Sequence, residues 1–241
     1  MSIWGKIIGG TAGFALGGPI GALIGTLAGH AVDTYADKSG AEQDNTREVA
    51  FTIALIALSA KMAKADGKVT RDEILAFREK VDIPPEEIEH VGRIWDLART
   101  TPDGFDGYAR QVAGMFHPGS PVLDQLMGLL FHIARADGEL IPNEEMYLAE
   151  VAAILGYDEQ GFARLMMFYG DNAGNPYHIL GLDPDCADAA IRPAWIALAR
   201  ENHPDRLLAE GLPEEFIRAA TGRLADINRA YDAIRLERGL S

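Results

Sequence analysis

The residues with the most chemical character are three in a row, His203, Pro204 and Asp205. The imidazole offers a donor and an acceptor, and the proline stiffens the turn and lowers the ordering cost of binding. Alone, the tripeptide is no more than the end of a helix. The other histidines, His30, His90, His117, His132 and His178, sit in no nucleophile or metal motif. Cys186 is the one cysteine, so the chain has neither an internal disulfide nor a CxxC zinc pair. It reads as a small loop residue in a reducing compartment. These residues point to recognition and away from an enzyme in its own right.

Helices must position the tripeptide. The cluster 170–175 is rich in Gly, Asn and Asp and reads as a linker. A short segment follows, Asn175-Pro176-Tyr177-His178-Ile179-Leu180-Gly181-Leu182. The next helix carries Ile191, Trp195, Leu198 and Ala199 and leads into Asn202-His203-Pro204-Asp205. A last helix carries Phe216, Leu224, Ile227, Tyr231 and Ile234, with Ala220 and Ala230 as small packing positions.

With these parts in order, residues 175–238 resemble the J domain, whose signature is P-Y-x-I-L-G-L, an amphipathic helix, H-P-D, then N-x-A-Y-D-x-I. The resemblance implies a co-chaperone that stimulates ATP hydrolysis by a DnaK-type Hsp70 and does no bond chemistry itself. It implies a loop in which Asp205 pairs with a partner arginine, flanked by Arg192, Arg200 and Arg206. Tyr177, Leu180, Trp195, Leu198 and Tyr231 would form the J-domain core. One departure is plain. J domains usually present basic residues on the helix before H-P-D, whereas this helix has only Arg192 and Arg200, with Ile196, Ala197 and Glu201 where cations are common. That implies a weaker or more salt-tolerant contact. Pro193 also lies near the first turn, tolerable at the first helical position and costly later.

Upstream, residues 45–170 show helical periodicity and no period-2 strand pattern. Asn45 or Thr46 suits a cap before Val49, Ile53, Ile56, Leu58 and Met62, and Pro84-Pro85 reads as a helix start. The segment repeats itself: Lys64-Ala65-Asp66-Gly67 returns as Arg135-Ala136-Asp137-Gly138, and Glu73 maps onto Glu144. Two pseudo-symmetric helical pairs packed face to face are the simplest architecture. The duplicated K/R-A-D-G segment resembles the TerB-like domain. That resemblance implies a metal reading for Asp66, Glu73, Asp137 and Glu144. The spacing itself fails the EF-hand pattern, because Lys68 and Thr70 stand where oxygen ligands are required. The competing reading is structural: each glycine makes a turn and each glutamate caps the next helix.

The N-terminus holds a different signal. Residues 7–29 contain no charge, and Gly5, Gly9, Gly13, Gly17, Gly21, Gly25 and Gly29 recur every fourth residue. Such a run is long enough to cross a hydrocarbon core of about 30 Å. A glycine face lets a second helix approach, as in GxxxG pairs. The outcomes left open are a homodimer through that face and close packing without one. Pro19 should kink or loosen the span. Trp4-Gly5-Lys6-Ile7-Ile8-Gly9 and the residues 206–213 after H-P-D resemble the membrane-anchored DjlA type of J-domain protein. That type implies a single pass through the bacterial inner membrane, with the C-terminal bulk in the cytoplasm beside Hsp70 and ATP.

The net charge of −14 argues against nucleic acid and against attachment to anionic lipid by charge, so lipid contact must be hydrophobic. The expected fold is all-α. Residues 1–30 form a transmembrane helix and 31–44 a linker. A TerB-like bundle with an internal two-fold repeat spans 45–170, and a J-domain helical hairpin spans 171–241. No cofactor is expected. The alternative function is a membrane stress or metal-sensing scaffold built on the middle domain.

Overall fold

The computed structural model describes Ile3, Ile7 and residues 18–28, 40–65, 71–100, 104–170 and 174–240. Among them every regular element is a helix, as the sequence pattern requires. The long helix α2 (Gly40–Ala65) is the hub. From Val49 to Ala60 it is buried on all sides, Thr52 and Ser59 included. A helix apolar all round belongs in the centre of a bundle. Around it pack α4 (Ile88–Thr100), α5 (Phe105–Ala113), α6 (Pro121–Ala134) and α7 (Pro142–Ile154). α3 (Arg71–Lys80) lies against α6, and α8 (Glu159–Tyr169) against α6 and α7.

Local signals start and stop these helices. Pro85 opens a 3₁₀ turn that leads directly into α4, the start expected at Pro84-Pro85. Ser120 caps α6 by accepting from the Val122 N–H, and Asp158 caps α8 by accepting from the Gly161 N–H at 2.7 Å. Helix α2 begins at Gly40, five or six residues before the cap expected at Asn45 or Thr46. That cap therefore falls inside the helix, and residues 40–44 of the expected linker are helical. Packing of the apolar stretch of α2 outweighs a local capping preference.

The two halves of the repeat correspond to α2 with α3 and to α6 with α7, and α6 packs on both α2 and α3. In the second copy α6 ends at Ala134, Gly138 takes a positive φ of 149°, and α7 begins at Pro142. Asp66 and Gly67 of the first copy lie outside the described residues.

Near the N-terminus the described helix is α1 (Gly18–Ala28), 11 residues long. Ile20 and Leu23 are buried, as are Ile3 and Ile7, in the same core as α2; α1 packs on α4 and α5. Gln111 accepts from the Ile20 N–H at 3.0 Å, satisfying a donor of the first turn. Residues 8–17 and 29–30 of the expected span lie outside the described residues, and with them Gly9, Gly13, Gly17 and Gly29, as does Gly5. Gly21 and Gly25 are in α1. Among the described residues no helix is long and apolar enough to cross a membrane.

After Gly174 the chain makes α9 (Pro176–Ile179), α10 (Asp188–Glu201), α11 (Pro204–Ala209), a 3₁₀ turn (Glu214–Phe216) and α12 (Ile217–Arg238). α10 and α12 form a hairpin with its own small core of Tyr177, Leu180, Ile191, Ile227, Ala230 and Ile234. Its lower half is not independent. Leu207, Leu212, Phe216 and Ala220 belong to the main core, and Phe216 meets Phe51 of α2 edge to face at 5.1 Å. The backbone joins as well: the Asp82 N–H donates to the Glu215 carbonyl at 3.0 Å.

Truncating Phe216 therefore empties a site at the junction of both units. Phe216→Ala should cost about 3–5 kcal/mol, measured by urea denaturation. It should lower the midpoint of a single transition detected by probes in both units.

Candidate functional site

The end of the α10–α12 hairpin is where the chemistry lies. α10 stops at Glu201, and Asn202 follows with a buried side chain. His203 is the N-cap of α11: its Nδ1 accepts from the Asp205 N–H at 3.2 Å. Pro204 takes the first helical position, where its missing N–H leaves no bond unmade. Asp205 is 88% exposed and its Oδ2 lies 3.8 Å from His203 Nδ1. The tripeptide is thus held by a local turn while its ring and carboxylate face solvent.

What fixes this turn from beneath was not legible in the sequence. Asn202 Oδ1 accepts from Gln125 Nε2 of α6 at 3.1 Å and from Arg223 Nε of α12 at 3.3 Å. Its own amide donates to the Leu198 carbonyl at 2.9 Å. One buried asparagine ties α10, α12 and the middle domain together beside His203. Buried polar groups demand partners, and here the partners come from 77 residues upstream and 21 downstream. No local pattern reports such a contact. Ser120 Oγ donates to Glu210 Oε2 at 3.3 Å, a second link from α6 to the segment after the tripeptide.

Three arginines flank the site. Arg192 and Arg200 are exposed on α10. Asp188 and Glu201 stand on the same helix, so its charge balances. Arg206 is committed to Glu210, Nε to Oε1 at 2.8 Å. Pro193 lies inside α10, at its sixth residue, not in the first turn. Its missing N–H leaves one bond of the ladder unmade.

The expected core residues come together. Tyr177 and Leu180 are buried, and Leu198 packs on the same cluster. Trp195 stacks on Tyr231 with centroids 4.3 Å apart and planes 7° apart, and its Nε1 donates to Asn228 at 2.9 Å. Arg238 closes the far end: it donates to the Tyr177 hydroxyl at 2.8 Å, the Cys186 carbonyl at 2.7 Å and Asp188 at 2.6 Å. The bonds to Asp188 and Tyr177 hold its guanidinium above the usual arginine range.

The four candidate metal ligands do not converge. Asp66 and the Glu73 side chain lie outside the described residues. Asp137 is exposed. Glu144 is buried, and its carboxylate accepts from the Ile141 N–H at 3.1 Å at the start of α7. That is a helix cap. Among the described residues no group of three His, Cys, Asp or Glu side chains could hold a metal.

Between the middle domain and the hairpin lies a cavity of about 560 Å³ with Lys80, Gln125, His132, Arg135 and Arg223 in its walls. Burial, helped by Lys80, pushes the His132 pKa below its ordinary 6.5 against the pull of Glu79. Asp124 lines a second cavity with Tyr157 and Arg223, and burial raises its pKa although Tyr157 donates to it. Tyr169 is pushed up to about 12, chiefly by burial.

These features define a class: an all-helical chain, among the described residues, with a central bundle and a C-terminal helical hairpin. A family model described as Tellurite resistance protein TerB matches residues 52–167, and one described as Co-chaperone DjlA transmembrane domain matches residues 1–48. Proteins named Co-chaperone protein DjlA match end to end. That of Photobacterium profundum is 28% identical over 98% of this chain and 99% of its own length. That of Coxiella burnetii is 25% identical over all of both, and that of Escherichia coli K12 25% identical over 99% of each. No solved structure matches. The chain is thus similar over its whole length to membrane co-chaperones of the DjlA type.

The His132 shift has a sign that can be tested. A depressed folded pKa means that the unfolded chain takes the proton first. The stability is then fully present above the unfolded value of 6.5 and is lost as pH falls through the folded value. His132→Gln should flatten the fall in urea midpoint between neutral pH and pH 5, compared with the wild type.

Proposed function

We propose that residues 175–238 are a J domain that docks on a DnaK-type Hsp70 through His203, Pro204 and Asp205 and stimulates its ATP hydrolysis. The observation that carries this reading is the exposure of the His203 ring and the Asp205 carboxylate on a turn whose base is tied to three elements. A pre-shaped loop loses little entropy on binding. A solvated carboxylate is free to form a charge-assisted pair with a partner arginine. The site lacks a nucleophile with a base, so its effect on hydrolysis is allosteric: it favours the Hsp70 state competent for hydrolysis.

Arg192 and Arg200 are the cations that steer the encounter. Arg206 contributes less, because Glu210 occupies it. The matched charges of α10 support a contact that tolerates salt. On this reading the N-terminal region anchors the chain in the bacterial inner membrane by a single hydrophobic pass, which requires Ile3, Ile7, Ile20 and Leu23 to leave the bundle core they occupy here, with a homodimer through the glycine face as one arrangement. Hsp70 and ATP being cytoplasmic, the bulk of the chain lies on that side.

The experiment is single-turnover ATP hydrolysis by a DnaK-type Hsp70, with and without the full chain in detergent. Stimulation by the wild type and none by His203→Gln is expected. No stimulation by a folded wild type would overturn the reading. The same assay at rising salt tests the charge balance of α10. A shallow loss is expected, since few cations face the partner; a steep one would show that exposed arginines dominate binding.

A further inference from the structure

The Arg223 guanidinium is a largely enclosed cation at the junction of the hairpin and the middle domain. It lies flat over Phe168, its Cζ 3.4 Å from the ring centroid, and 4.3 Å from that of Tyr169. Nε donates to Asn202. Its terminal nitrogens make no hydrogen bond to the described residues, and Asp124 and Asp226 act on it through space without an ion pair. Cations withdrawn from water are ordinarily paired, and stacking on rings satisfies the face of the guanidinium but leaves its edge open. That edge borders the cavity of about 560 Å³, a size typical of small-ligand sites.

The rest of the cavity wall is suited to an anion. Lys80 and Arg135 line it, and His132 adds a ring nitrogen. Arg135 is held in the wall by the Tyr169 carbonyl at 3.1 Å and by a further partner, so it adds to the field of the cavity from a fixed place. The carboxylate in the wall, Asp226, is taken up by Arg229, and Glu79 beside His132 is mostly exposed. Gly128 and Gly222 keep the space open; a Cβ on Gly128 would come within 2.7 Å of the Tyr169 ring. In a chain of net charge −14, this convergence of cations is not a reflection of overall composition.

We propose that this cavity binds a small oxyanion of the phosphate class, with the Arg223 fork and Lys80 as its principal ligands. A planar fork suits two oxygens of one phosphate, and lysine adds a point charge. The site is joined to the recognition loop. Arg223 holds the anion with its terminal nitrogens and Asn202 with Nε, and Gln125 lines the cavity and donates to the same Asn202 oxygen. Occupancy therefore tightens the base of the His203 turn. Its consequence for Hsp70 rests on the reading proposed above; the binding itself does not.

The test is calorimetric titration of the full chain in detergent with inorganic phosphate, against chloride at equal ionic strength. Saturable binding is expected, weakened at least about tenfold by Lys80→Met and more by Arg223→Met, with Arg223→Lys between the wild type and Arg223→Met. The Lys80 variant serves if the Arg223 variants fail to fold, because Lys80 is only partly buried. Absence of saturation in the millimolar range, or affinity unchanged in folded Lys80→Met, overturns the site. Glycerol 3-phosphate binding tighter than phosphate assigns an ester, and the reverse order the free ion. Amide hydrogen exchange of residues 198–207 should slow when phosphate is bound. Unchanged exchange overturns the link to the loop, and this result needs no Hsp70.

Discussion

Leu207, Leu212, Phe216 and Ala220 follow the His-Pro-Asp turn closely in the chain, yet they are buried in the core organised by α2. This burial constrains everything near the site. The segment after the turn must descend into the middle domain, so α10 and α12 stand on it as a hairpin whose lower end cannot drift. Had these side chains packed only within the hairpin, its six-residue core would have had to hold the loop alone. A core that small leaves little stability to spare.

The site is a balance of anchoring and exposure. Asn202 is buried and bonded on three sides, while its neighbour His203 is half exposed. The change occurs within one residue because the α10 C-terminus ends against α6 and α12 and the chain then turns outward. Pro204 at the first position of α11 and the His203 ring cap complete that turn without outside help. At the other end, Arg238 gathers Tyr177, Cys186 and Asp188. The hairpin is thus fixed at both ends, with the stacked Trp195 and Tyr231 between them.

Sequence alone determined the helical class, the repeat in the middle segment and the turn at His203-Pro204-Asp205 between two helices. Each of these rests on local physics: apolar residues at helical spacing, proline and glycine punctuation, and short motifs read in order. That Trp195 stacks on Tyr231 was decided by the fold, the sequence having placed both only in a common core. The Glu144 cap was legible, since Ile141 lies three residues away. Where local preference competed with burial it lost. The cap expected at Asn45 or Thr46 gave way to a helix that starts at Gly40, and Pro193 sits inside α10 because the packing of Ile191, Trp195 and Leu198 holds the helix around it.

Tertiary structure decided what joins the parts. Gln125 with Asn202, Arg223 over Phe168, Ser120 with Glu210 and Phe216 against Phe51 are contacts between residues far apart in the chain, of types that occur everywhere on protein surfaces. Their meaning comes from position in space, since a hydrogen bond or a buried cation has no sequence period. The sequence could therefore single out the His203-Pro204-Asp205 turn. Only the folded chain, by burying one asparagine and leaving the edge of one arginine open, showed what holds that loop and which cavity is connected to it.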